Sequence, residues 1–416
     1  MSKYFTILGG NKLLKGICDK LKSYGYTVVV VDWNEKPAVI GDIHIREDVK
    51  DSDIILKIFK ERGWEIDGAI SCIDLATPSV SVINKAYGLR YMPKKFNVVL
   101  SKEQMAKDWK AAGIFNRISE RSDSISIDEV VELNKDYRLI IKPDVAASSR
   151  GITTIEKHST KQQILDAMDK AQKASSNGIC LVEEYVVGRE FTVDMLGDDY
   201  GNIVVYGISV KYHTPYADHN RVAVKLHWNS DVYDDATYQM IADYGRKCYR
   251  SIGLKNAFGH LEIIMKEDGT LTPIEIGART SGFIGSHLVS AASETDYLHD
   301  YIEVLHGKNI GNIDHICGTQ SAMWYKYNIP NGYTCSKVTS MADYLDRGIS
   351  IMYNDHSGLL LGKTYESIID DNSCDNEGYE MICGSKSLLT YENIREAEKK
   401  FLKDFCEYTN ELLAED

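Results

Sequence analysis

The sequence predicts an α/β lobe with a parallel sheet, then an α+β region with a largely antiparallel sheet, then a small α+β end. Three observations carry this. The first ~95 residues alternate short apolar runs with helical spacing, the mark of βαβ units. Beyond them strands follow one another across tight turns, as in Gly259–Met265 and Leu271–Ile276, joined by Glu267-Asp268-Gly269. The last ~100 residues mix both textures and close on an amphipathic helix. With 416 residues, and ~150 per domain as a prior, two or three domains are expected.

The elements follow in order. Tyr4–Leu8 reads as a strand and Gly9-Gly10 as a turn, and Asn11–Tyr24 carries Leu13, Leu14, Ile17 and Leu21 at helical spacing. Thr27–Val31 is an apolar strand ending at Asp32, and a helix over Ile54–Arg62 leads to a third strand, Gly68–Cys72. The glycine turn and Asp32 invite a dinucleotide site, but that fingerprint needs glycines where Asn11 and Leu14 stand, so the lobe reads as structural. Ser101–Ala112 is a helix with Ser101 as N-cap and Glu103 in its first turn. After a polar loop come a strand, Arg138–Lys142, a loop of small residues at 144–151, a strand, Ile152–Ile155, and a helix, Thr160–Lys173. Ile179–Glu183 and Glu190–Leu196 are strands about a turn at Gly188, and Ile203–Val210 is another. In the last helix Ile394, Ala397, Phe401, Phe405, Tyr408 and Leu412 form a core-packing stripe.

Composition bounds the function. Lys+Arg total 48 and Asp+Glu 61, a net charge of −13, which argues against binding along a nucleic-acid backbone or docking on an anionic membrane. Nine cysteines include no CxxC pair, and Cys374 and Cys383 stand 9 positions apart, so no zinc or disulfide framework is legible and reduced thiols are expected. The start, Met1-Ser2-Lys3-Tyr4, lacks the apolar segment of a signal peptide, and no stretch reaches the ~18–20 apolar residues of a membrane span. A cytoplasmic location is expected.

Three constellations carry chemistry. Ile140-Ile141-Lys142-Pro143 ends a strand in a lysine, and the small-residue loop that follows runs to Ser149-Arg150-Gly151. Such a loop lets backbone N–H groups approach phosphate oxygens while the lysine offsets their charge; an ordinary loop is the plain alternative. In Leu181-Val182-Glu183-Glu184-Tyr185-Val186-Val187-Gly188-Arg189-Glu190 a strand leaves its sheet through a short hinge, exposing backbone groups that match an adenine edge. Glu190 can then reach ribose hydroxyls; an acidic hairpin is the plain reading. Third, Glu262 and Glu275 lie on adjacent antiparallel strands, each between apolar neighbours, so both can face one wet surface. Facing carboxylates repel, a divalent cation relieves that, and all-oxygen pairs suit Mg2+ bound with phosphates. Arg279 would stand beside it, placed to stabilise a transferring phosphoryl group. Lys211–Ser230, with His213, His219, Arg221, Lys225 and His227, is expected as an exposed polar loop, with contact to an acceptor or phosphate as the alternative and no zinc-ligand spacing. His287 reads as helix packing.

Taken in this order, these motifs resemble the ATP-grasp superfamily, and within it the carboxylate–amine ligases of the D-alanine–D-alanine ligase and L-amino acid ligase groups. The resemblance covers roughly residues 1–310. It implies a pre-ATP-grasp α/β domain at 1–96, a two-lobed ATP-grasp domain at 97–310 with a lid at about 115–187, and an α+β domain at 311–416. By the same resemblance Lys102 and Lys142 are the ATP lysines, Ser149, Arg150 and Gly151 the loop tip over the phosphates, and Glu183 the acidic residue near adenine. Glu184 and Val186 are the hinge contacts, Glu190 the ribose carboxylate, and Glu262 and Glu275 the metal ligands. Arg279 closes the E-x-N-x-R signature, and Ser281-Gly282 is the small turn after it. The implied cofactors are ATP and Mg2+, with Mn2+ as a substitute.

The implied reaction activates a substrate carboxylate as an acyl phosphate, which an amine attacks to release ADP and phosphate. The partners are small molecules, and a homodimer is the default assembly. A carboxylase, a carboxylate–thiol ligase and a non-catalytic nucleotide-binding regulator are the alternatives. The chain departs from the superfamily twice: Ala146 and Ser148 replace loop glycines, and Gly277 replaces the signature asparagine. Water or another residue must then fill that metal position. The expectation is a looser second metal, tightened by Gly277→Asn.

Overall fold

The computed structural model describes residues 3–11, 14–93, 99–146, 149–215, 222–281, 285–315, 318–366 and 377–410. Met1, Ser2, Leu13, Ser148, His219, Arg221, Gly282, Cys374 and Leu412, named above, lie outside these residues.

The N-terminal lobe comprises β1 (Tyr4–Leu8), α1 (Lys15–Ser23), β2 (Thr27–Asp32), β3 (Ile43–Arg46), α2 (Ser52–Glu61), β4 (Ile66–Ser71) and α3 (Thr77–Ala86). Its strands are parallel, in the order β3-β2-β1-β4. From Val28 to Asp32 every residue of β2 is buried, as a parallel strand covered on both faces requires. Phe5, Ile7, Val28 and Val30 pack with Leu14 and Ile17, while Leu8, Val29 and Val31 pack with Ile55 and Phe59. The helix expected from Asn11 begins at Lys15, after a turn closed by the Leu14 N–H on the Asn11 carbonyl. The strand expected as the third is the fourth, because β3 intervenes. It has four residues at the sheet edge and buries only Ile45, too short to show an alternation. Asp32 accepts from the backbone N–H groups of Gly10 and Asn34, both at 2.7 Å, so it fixes the glycine turn.

Next come α4 (Lys102–Ala111), β5 (Ser119–Arg121), α5 (Ile127–Asp136), β6 (Leu139–Pro143), β7 (Thr153–Ile155), α6 (Lys161–Ala174) and β8 (Cys180–Glu184). The Ser101 hydroxyl accepts the Gln104 N–H, capping α4 as expected. Antiparallel β5-β8-β6-β7 form a small sheet over a core of Val130, Leu139, Ile141, Ile164 and Val182. The polar loop expected before β6 contains α5, started by a reciprocal Ser126–Glu129 capping box.

The central sheet is built from β9 (Arg189–Gly197), β10 (Ile203–His213), β11 (Ala223–Trp228), β12 (Phe258–Met265), β13 (Leu271–Gly277), β14 (Gln320–Lys326), β15 (Ser350–Asp355) and β16 (Tyr379–Ser385). Their order is β13-β12-β9-β10-β11-β14-β16-β15, so strands from the C-terminal region continue the same sheet through the β11–β14 pair. Helix α7 (Asp235–Ser251) covers one face with α4. On the other face lie α8 (Gly285–Ser293) and α9 (Tyr297–Leu305), which also reach the N-terminal lobe: the Tyr301 hydroxyl donates to the Ala69 carbonyl at 3.0 Å. Helix α10 (Tyr391–Cys406) buries Ile394, Ala397, Phe401 and Phe405 of the expected stripe, while Tyr408, also buried, lies just past the left-handed Glu407 that ends the helix. Among the described residues no helix is long and apolar enough to cross a membrane.

The exposed loop expected over Lys211–Ser230 is corrected. Strand β10 runs through Lys211 to His213, and β11 carries Lys225 and His227 in the interior. Lys225 Nζ lies 2.5 Å from Glu398 Oε2 on α10, and His227 Nε2 lies 2.8 Å from Ser321 Oγ. Burial pushes the His227 imidazole down to about 4, below its ordinary 6.5. The unfolded chain therefore takes up a proton that the native state refuses, and stability is complete above pH 6.5 and lost as pH falls toward 4. At 1.36 kcal/mol per unit the full loss is about 3 kcal/mol. His227→Gln should flatten the melting temperature between pH 7.5 and 5; an equal slope in both proteins would show that another group sets it.

Candidate active site

A cavity of about 450 Å³ lies between the small sheet and the central sheet. Four strands of the central sheet give it a polar floor. In register, Lys211 on β10 stands opposite Glu190 on β9, and Glu262 on β12 stands opposite Glu275 on β13. The strand period of two puts Glu190 and Thr192, then Lys211 and His213, then His260 and Glu262, toward the same space, and all of them line it.

Each acidic group of the floor already has a cation. Lys102, at the start of α4, reaches Glu275 at 2.9 Å, and Lys211 bridges Glu190 at 2.6 Å and Glu262 at 2.9 Å. His213 Nε2 adds a contact to Glu190 at 3.2 Å. The repulsion expected between Glu262 and Glu275 is thus relieved by two lysines rather than awaiting a cation. Burial pushes the Glu275 carboxyl up, but the adjacent Lys102 ammonium outweighs this and holds it well below the usual range. Glu262 is pushed up, by burial first and by the Glu275 and Glu190 charges, against the pull of Lys211.

A second cluster sits under the small sheet. Glu183 on β8, 2% exposed, lies 2.9 Å from Lys142 and takes two donors from Arg117, at 3.2 and 3.0 Å. Ser119 donates to its other oxygen. Against its burial, these two cations hold the Glu183 carboxyl at about 2. Lys142 is pushed down, by burial and then by the neighbouring Arg117, because one carboxylate serves two cations. The Arg117 guanidinium also donates to Thr272 Oγ1 and the Pro273 carbonyl on β13, so it ties the small sheet to the central one.

The described start of loop 144–151 is tied to the beginning of α4. Asp144 accepts from Ser101 Oγ and the Glu103 N–H, each at 2.9 Å, and Lys102 donates to the Ala146 carbonyl at 3.2 Å. Gly151 turns at φ +77°, and a Cβ there would stand 2.5 Å from the Ala174 Cβ, so only glycine lets the loop close on α6. Ser149 and Arg150 face the cavity, as do Glu184, Tyr185 and Val186 of the hinge. Arg279 donates from Nε to Asp74 Oδ1 at 2.8 Å, across to the N-terminal lobe. His287 lies in α8 with Nε2 against Gly16 of α1, in keeping with helix packing.

Spacing did not reveal Arg117, Lys211 or Asp74, nor Trp324 and Lys326, which β14 brings to the cavity from the C-terminal region. For Lys211 a signal existed: a charged residue one step past a strand that is apolar except for Gly207 and Ser209. Among the described residues no three His, Cys, Asp or Glu side chains converge as a closed metal cage. Glu262 and Glu275 are instead an open, all-oxygen pair, which fits Mg2+ completed by water and phosphate oxygens.

The comparisons agree with this architecture. The ATP-grasp domain profile matches residues 135–287. The D-alanine–D-alanine ligase of Actinobacillus succinogenes is 23% identical over 292 residues, covering 67% of this chain and 85% of that protein. The crystal structure of an L-amino acid ligase from Bacillus licheniformis superposes with a TM-score of 0.72 at 16% identity, over 97% of this chain and 98% of that one. The biotin carboxylase domain of Hydrogenobacter thermophilus 2-oxoglutarate carboxylase gives 0.71 at 16% identity, over 97% and 90%. The ATP-grasp domain match spans residues 135–287, and the chain shares its overall fold with these ligase and carboxylase structures.

Proposed function

We propose that the protein is an ATP-dependent ligase that activates a carboxylate as an acyl phosphate and joins it to an amine, cytoplasmic and acting on amino acids or peptide-like molecules. The observation that carries this reading is the in-register Glu262–Glu275 pair on a cavity floor whose cations already touch carboxylates. Glu262 and Glu275 would hold Mg2+, which would supply positive charge to offset that of the phosphates. Lys142 and Lys102 would hold the phosphates, together with the backbone of Ser149, Arg150 and Gly151. Glu184 and Val186 would frame the adenine, Glu183 would hold Lys142 in place near it, and Glu190 would take the ribose.

The γ-phosphoryl group passes to a carboxylate oxygen as its bond to ADP breaks. Arg279, Lys142 and Lys102 stabilise the charge that develops. The amine then attacks the acyl carbon, loses a proton, and phosphate departs. Loop 144–151 excludes the water that would otherwise hydrolyse the intermediate. A second cavity of about 210 Å³ shares Asp74, Lys102, Arg150, Glu275 and Arg279 with the first and offers the amine a separate approach. The reading divides the chain at residues 96 and 310, with the lid at about 115–187.

A phosphate-release screen over amino acids taken in pairs tests the proposal: release should require both a carboxylate and an amine. Release driven by bicarbonate would favour a carboxylase, release driven by a thiol a carboxylate–thiol ligase, and MgATP binding without release a regulator. MgATP should raise the melting temperature by mass action, by about 2.7 kcal/mol of stability at a hundredfold excess over Kd. No shift at millimolar MgATP would remove the nucleotide site.

A further inference from the structure

The missing side chain at position 277 leaves a defined space, and the structure shows what fills it. Glu275 and Gly277 are two apart on β13, so they present to the same side. A Cβ built on Gly277 would stand 3.0 Å from Asp74 Oδ1 and 3.1 Å from Arg279 Cγ. The amide oxygen of an asparagine lies only two bonds beyond its Cβ, so the Asp74 carboxylate occupies the quarter where that oxygen would be. Asp74 sits on a single 3-10 turn directly after β4, pinned by the Thr77 hydroxyl on its carbonyl at 2.7 Å and by Ser71 Oγ accepting the Ile73 N–H. It lines both cavities.

Resting on the ATP-grasp reading of this site, we propose that Asp74, from the N-terminal lobe, supplies the metal-ligating oxygen that Gly277 lacks. Three carboxylates around the cavity each rest on one cation: Glu275 on Lys102, Glu262 on Lys211, Asp74 on Arg279. A triphosphate gives those cations new anionic partners and frees the carboxylates for metal. The ligand at the second metal position is then an anion where the superfamily has a neutral amide, and added ligand charge tightens a hard cation. This reverses the expectation drawn from sequence, a loose second metal. It also reverses the expected benefit of Gly277→Asn, which has no room while Asp74 stands there.

The test is Mn2+ binding, followed by electron paramagnetic resonance with a non-hydrolysable ATP analogue, on the full chain. The wild type should bind two Mn2+. Asp74→Ala should keep the first and weaken the second by ~10–100-fold or more. Asp74→Asn, which retains an oxygen, should fall between. In Asp74→Ala the double variant with Gly277→Asn should recover the second Mn2+, although Arg279 still lacks its partner; that separates ligation from the positioning of Arg279. Gly277→Asn alone should bind the second Mn2+ more weakly than the wild type. An unchanged second Mn2+ in Asp74→Ala, or a wild type that binds only one, would overturn the role of Asp74 and leave the ligase reading intact. Failure of the wild type to bind the analogue with any Mn2+ would overturn the ligase reading itself.

Discussion

Glu275→Gln should lower ATP-dependent phosphate release by two to three orders of magnitude, roughly the scale of removing one well-placed electrostatic group from a transition state. The substitution keeps the shape of the side chain and its place in β13. Loss of the repulsion between two facing carboxylates would by itself make the variant more stable without metal. The structure says otherwise: Lys102 lies 2.9 Å from Glu275, and its positive charge would then face an amide. A small fall in melting temperature is expected, with far-UV circular dichroism unchanged. Wild-type turnover in the variant would end the assignment of Glu275 to the metal.

Glu183→Gln should be the most destabilising single change at the site, and by a different mechanism. It leaves Lys142 and Arg117 buried side by side without the carboxylate they share. Breaking a buried ion pair from one side typically costs about 3–5 kcal/mol. Lys142→Ala is the informative contrast, because it leaves Arg117 and Glu183 matched one to one. That variant should melt near the wild type and yet lose most of the stabilisation by MgATP. Urea unfolding of both variants, with and without MgATP, tests the pair. Equal stability losses would mean that the shared charge is not what holds the small sheet.

Glu262 and Glu275 could be paired from sequence because a tight turn joins their strands, and a short connection fixes register. Lys142 and its loop were legible for a similar reason: strand end, lysine and small residues are contiguous. Lys211 was visible as a residue but not as a neighbour of Glu190 and Glu262, since that contact depends on the sheet order β12-β9-β10. Strand β11 was read as a solvated loop because Lys225 and His227 are polar. Their burial is made tolerable by Glu398 and Ser321, which arrive much later in the chain. Asp74 had no signal of its own. Only the missing side chain at Gly277, whose place its carboxylate takes, gives it meaning.

The shared central sheet has a consequence for synthesis. Strand β11 is interior only because β14 lies beside it. While residues up to 310 are being made, β11 is a bare edge with Val224, Leu226 and Trp228 along it, and bare edges recruit other chains. At ~5–20 residues per second, reaching residue 385 and the end of β16 takes roughly 4–15 s more. During that interval Lys225 also waits for Glu398. The nascent chain is most vulnerable just after the residues proposed to bind nucleotide have been made, and slowing translation over 310–400 should lengthen that exposure.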